Sequence, residues 1–125
     1  MQIQINTDHN IDAHEAMTTH VSTVVKNALE QFSDHITRVE VHLSDEHGPA
    51  TDHKSGPNSK RCMMEVRLEG YHPVAVTAHA DTMHQAIAIA ADKLLRLVES
   101  TLGRLHDHKL RRAALTPDGE VLPEA

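Results

Sequence analysis

Met1-Gln2-Ile3-Gln4-Ile5 alternates apolar and polar positions, and a period of two predicts a short half-buried strand with Ile3 and Ile5 facing inward. After a polar stretch the period lengthens. Asp12 and Glu15, three apart, form a capping pair that opens a helix. Met17, Val21, Val24, Ala28, Leu29 and Phe32 follow at steps of three and four, one apolar helical face that ends near Phe32 to Asp34. From Ile36 to Leu43 the period returns to two: Val39, Val41 and Leu43 point one way, Arg38, Glu40 and His42 the other. Residues 44–60 carry Gly48-Pro49 and Gly56-Pro57 and no apolar periodicity, which predicts a long loop. Cys62, Met64, Val66 and Leu68 then alternate with Met63, Glu65, Arg67 and Glu69 as a third strand. Gly70-Tyr71-His72-Pro73 is a tight connection to a fourth, whose inner face is Val74, Val76 and Ala78. Thr82 and Gln85 are a second capping pair, and Ala86, Ile87, Ala90, Ala91, Leu94, Val98 and Leu105 hold a helical stripe to about Arg112.

The order β-α-β-β-β-α is that of an α+β two-layer sandwich, with one four-stranded sheet and two helices on one face. The second to fourth strands are joined by loops and are expected to run antiparallel, while the first reaches the sheet through a helical crossover. Residues 1–112 are read as a single domain with its long loop at 44–60, and residues 113–125 as a disordered acidic tail.

Composition narrows the chemistry. The 125 residues include one Phe, Phe32, one Tyr, Tyr71, and no Trp, so the core is aliphatic and an aromatic platform for stacking bases is excluded. A single cysteine, Cys62, forms no internal disulfide and fits a reducing compartment. No basic-then-apolar leader and no 18-residue apolar run is present, so a cytoplasmic location without membrane attachment is expected. The formal charge is −6, but it is polarised: residues 1–92 hold 13 acids and 6 bases, residues 93–112 hold 2 acids and 6 bases, and residues 113–125 add 3 acids.

Twelve histidines invite a metal reading, yet their spacing is poor for ligation. His14 and His20 are six apart, His79 and His84 span a strand-to-helix junction, and His106 and His108 lie about 200° apart on a helix. His42, His47 and His53 converge only through the long loop. No metal or cofactor is therefore expected. Cys62 alternates in phase with Met64 and Val66 and reads as a buried side chain rather than a nucleophile. The carboxylates are scattered, and no phosphate loop, HExxH or GxSxG appears, so no enzyme is expected. The remaining candidate is the basic half of the second helix. Lys93, Arg96, Arg104, Lys109, Arg111 and Arg112 can meet phosphates by charge without reading bases, although a charged outer stripe also keeps any amphipathic helix soluble.

The opening MQIQI, the segment ALEQFSDHITRVEVHL and the segment AIAIAADKLLRLVESTLGRLHDHKL, in this order of elements, resemble the ribosome hibernation promoting factor family, also called ribosome-associated inhibitor A or sigma-54 modulation proteins. The resemblance covers about residues 1–110. It implies a fold similar to double-stranded-RNA-binding domains and a bacterial factor that binds the small ribosomal subunit and its rRNA near the decoding centre, silencing ribosomes under stress. By the same resemblance Lys93, Arg96, Arg104 and Lys109 contact rRNA phosphates, with Lys26 the one cation offered by the first helix. The chain departs from the family pattern in having Thr82, His84 and Ala88 early in the last helix, Ser100 and Leu102 where lysines are common, and a longer loop between the second and third strands. No DNA partner and no dedicated dimerisation domain are expected. Two other readings stay open: an acidic protein-interaction or regulatory module of the same fold that has left the ribosome, and a histidine-rich metal-responsive binder.

Overall fold

The computed structural model describes residues 1–8, 15–46 and 59–114, with side chains as far as Asp107. The chain divides into two compact units, Met1–Leu95 and Arg96–Ala125. The first contains β1 (Gln2–Thr7), α1 (Glu15–Leu29), a 3-10 turn (Glu30–His35), β2 (Ile36–Asp45), β3 (Lys60–Leu68), β4 (Val74–Ala80) and the start of α2 (Met83–Ala114), which continues into the second.

The sheet is mixed, in the order β1-β2-β3-β4. β1 lies parallel to β2, with Ile3 opposite Val39 and Ile5 opposite Val41, as a strand arriving through a helix must. β2, β3 and β4 form an antiparallel meander in which Leu43, Cys62 and Ala78 align across the strands. Gly70 closes the β3-β4 connection at φ 77°, a left-handed conformation that glycine adopts without penalty.

Alternation sets the layers. Val39, Val41, Cys62, Met64 and Val66 are fully buried, whereas their strand neighbours Arg38, Glu40, Met63 and Glu65 keep partial exposure. The buried sides of α1 (Val21, Val25, Leu29) and of the first turns of α2 (Ala86, Ile87, Ala90, Leu94) complete the aliphatic core of the first unit. In the second unit Val98 and Thr101 are buried and Leu105 is half-buried.

Four sequence expectations shift, while the expected opening at Asp12 of α1 lies outside the described residues. Its final turn tightens at Glu30 into the 3-10 turn that carries Phe32, and Val25 rather than Val24 takes the buried position. The β2-β3 loop is shorter than 44–60, because Ser44, Asp45 and Lys60 belong to strands. Asp45 faces Lys60 in register as an ion pair and the Glu46 N–H donates to the Ser59 carbonyl at 2.8 Å, so backbone pairing carries the hairpin beyond the last apolar residue. Glu69 is not on the strand face: it is the first turn residue, and its N–H donates to the His35 carbonyl at 2.9 Å.

Candidate nucleic-acid interface

The basic candidates are positioned by α2. Its first turn is fixed by Thr82, whose hydroxyl accepts the Gln85 N–H at 3.1 Å and whose carbonyl accepts the Ala86 N–H at 3.0 Å. One side of the helix is then held by Ala86, Ile87, Ala90 and Leu94, which leaves Asp92, Lys93 and Arg96 exposed.

Lys93 lies in the first unit, and its ammonium donates to the Thr77 carbonyl at 3.0 Å. Thr77 is on β4, the last strand in the sheet order, so Lys93 closes one carbonyl of an open edge. Arg96 and Arg104 lie in the second unit. Arg104 donates to the Ser100 hydroxyl at 2.7 Å and to the Thr101 hydroxyl at 3.4 Å, which orients the guanidinium along the helix. Arg96 is exposed and engages a neighbour of its own. The bonds of Lys93 and Arg104 go to neutral oxygens, so among the described residues neither charge is cancelled by a carboxylate. Lys26 stands apart, exposed in the last turn of α1, where a cation also complements the helix C-terminus. Lys109, Arg111 and Arg112 are on α2, but their side chains lie outside the described residues.

The open face of the sheet is the second charged surface. Arg38 donates to the Gln4 amide oxygen, and its Nε lies 3.4 Å from a Glu40 oxygen; His42 approaches the other Glu40 oxygen at 3.6 Å. Across the β2-β3 register Arg38 faces Arg67 and Glu40 faces Glu65, so like charges oppose each other and are relieved along the strand rather than across it. This is a solvated face of mixed sign.

Nothing among the described residues assembles a nucleophile or a metal cage. Cys62 is buried between β2 and β4, and desolvation pushes its thiol up to about 12 against a small lowering by Arg61. No group of three or more metal-ligating side chains occurs among the described residues. Of the histidine pairs weighed from spacing, His79 and His84 are the pair with both side chains described, and they do not meet. His79 is bound to Glu46 at 2.9 Å rather than turned to His84, and His14, His47, His53 and His108 lie outside the described side chains. Instead His84 meets His20, with ring centroids 4.5 Å apart at a 35° tilt. That contact joins residues far apart in sequence, and only the crossing of α1 with the start of α2 reveals it. Tyr71 stacks on His72 in the β3-β4 turn at 4.0 Å, and Phe32 is half-buried in the 3-10 turn.

Residues 3–106 match the family described as sigma 54 modulation protein / S30EA ribosomal protein. A comparison with curated proteins finds no match. Among solved structures the chain is similar to the N-terminal domain of Thermus thermophilus Protein Y, with a TM-score of 0.63 and 22% identity over 81% of this chain and 99% of that one. It is also similar to a ribosomal subunit interface protein from Coxiella burnetii, with a TM-score of 0.60 and 16% identity over 82% of this chain and 99% of the other. These likenesses show the fold.

Proposed function

The chain belongs to the sigma 54 modulation protein / S30EA ribosomal protein family, and from that membership we propose that it is a ribosome-associated hibernation factor that binds the small subunit near the decoding centre through rRNA phosphates. The observation that carries the proposal is the extent of the family match, from β1 through the sheet and along α2 to His106. The proposed phosphate ligands are Lys93, Arg96, Arg104, Lys109, Arg111 and Arg112 on α2, with Lys26 on α1. A cation whose own bonds go to neutral oxygens retains its charge for an incoming phosphate, and Lys93 and Arg104 meet that condition. The shortage of aromatic side chains suits contact with backbone phosphates rather than with bases.

In this reading the protein works by occupancy, excluding tRNA and mRNA from the site it fills; no group is asked to make or break a bond. The acidic remainder of the chain opposes non-specific adhesion to nucleic acid, so binding depends on placing the basic residues of α2 against phosphates. We place it in the cytoplasm, with no DNA partner. Among the described residues no helix is long and apolar enough to cross a membrane.

The test is co-sedimentation with isolated small subunits over a salt series. Phosphate contacts predict a fall of about 0.7–0.9 log unit in affinity per contact for each log unit of salt. A salt-independent interaction, or none at low salt, would reject the proposal.

A further inference from the structure

The His20-His84 pair has no part in the RNA reading. His20 is half-buried on α1 and His84 is exposed in the first turn of α2, so solvent reaches the pair. Each is flanked by anchored neighbours: Val21 follows His20, and Met83 and Ala86 bracket His84, all buried. The Thr82 cap fixes the same turn of α2. The two backbones that present the rings are therefore held before any ligand arrives.

The rings meet at 4.5 Å between centroids, with their planes tilted by 35°. Imidazole nitrogens at ~2.0–2.1 Å from one metal ion, in neighbouring coordination positions, place their ring centroids about 4.5–5 Å apart. The observed separation thus already fits shared ligation. His42 and His79 each have a carboxylate for a partner, whereas His20 and His84 make no hydrogen bond or ion pair among the described residues and meet only each other.

We propose that His20 and His84 form a two-histidine site for a divalent transition metal of the zinc, nickel or copper class, linking α1 to the first turn of α2 with water in the remaining positions. Two imidazoles without a carboxylate select metals that bond strongly to nitrogen; Mg²⁺ and Ca²⁺ prefer oxygen and are not retained. A metal bound here bridges two elements of the folded chain, so it stabilises the fold in proportion to its occupancy.

The experiment is isothermal titration of the full chain with ZnCl₂ and NiCl₂, with MgCl₂ as the negative arm, on the wild type and on His20→Gln, His84→Gln, His84→Cys and His79→Gln. The wild type and His79→Gln should show the same binding event. His20→Gln and His84→Gln should each weaken it at least about tenfold, as expected on loss of one of two protein ligands. His84→Cys, which exchanges one donor for another, should keep zinc. Absence of zinc and nickel binding in the wild type would overturn the site. Unchanged binding in both glutamine variants would also overturn it, by assigning the metal to other histidines. Neither readout involves ribosomes, so this site and the ribosome reading stand or fall separately.

Discussion

Cys62 offers a prediction whose size follows from its place in the sheet. Its side chain is fully buried, and burial moves the thiol from an ordinary 9.0 to about 12. In the unfolded chain the thiol ionises near 9, while in the folded chain it stays protonated, so above pH 9 the folded state binds more protons and stability falls as pH rises. One unit of pH above the unfolded value corresponds to about 1.4 kcal/mol. Other groups titrate over the same range, so the informative quantity is the stability difference between wild type and Cys62→Ala, measured by urea unfolding at pH 8 and at pH 10. The cavity left by the substitution costs the same at both values. The thiol contribution is nearly absent at pH 8 and destabilises the wild type by about 1.4 kcal/mol at pH 10, so the cost of Cys62→Ala should shrink by that amount. An equal cost at both values would refute the buried thiol and reopen Cys62 as a reactive group.

Lys93→Met keeps the apolar stem and removes the ammonium from the Thr77 carbonyl. At this exposed site we expect a loss of about 0.5–1 kcal/mol in urea unfolding, and an unchanged midpoint would show that the edge contact contributes nothing. Lys93 is for that reason a poor probe of RNA contact by charge reversal, which would disturb β4 as well. Gly70→Ala has no neighbouring atom within 4 Å to meet, yet φ 77° should still make it cost about 1 kcal/mol in the same assay. A neutral Gly70→Ala would mean that the turn relaxes out of the left-handed region.

Most of the fold was legible because both periods of the apolar pattern were clean. Val39, Val41, Leu43, Cys62, Met64 and Val66 fixed the inner face of the sheet, and Ala86, Ile87, Ala90 and Leu94 the buried side of α2. The pattern was silent where backbone pairing does the holding, so Asp45 and Lys60 read as loop although they form a register pair. Of the candidate site, the sequence located the basic residues on α2 but not their bonds. That Lys93 closes a strand edge, and that Arg104 is steadied by Ser100 and Thr101, depends on side-chain reach that no periodicity encodes. The histidines failed for a related reason: sequence spacing paired close neighbours, whereas His20 and His84 are brought together by tertiary packing.

The account rests on cations of α2 meeting rRNA phosphates, and Arg96 and Arg104 test it most directly because both are exposed on α2 beyond Lys93, whose ammonium is bonded to the Thr77 carbonyl of β4. The decisive measurement compares wild type with the Arg96→Glu/Arg104→Glu double variant in co-sedimentation with small subunits at low salt, after circular dichroism has shown both to be folded. The account predicts that the wild type pellets with the subunit and the double variant stays in the supernatant. Equal pelleting of the two proteins would contradict it.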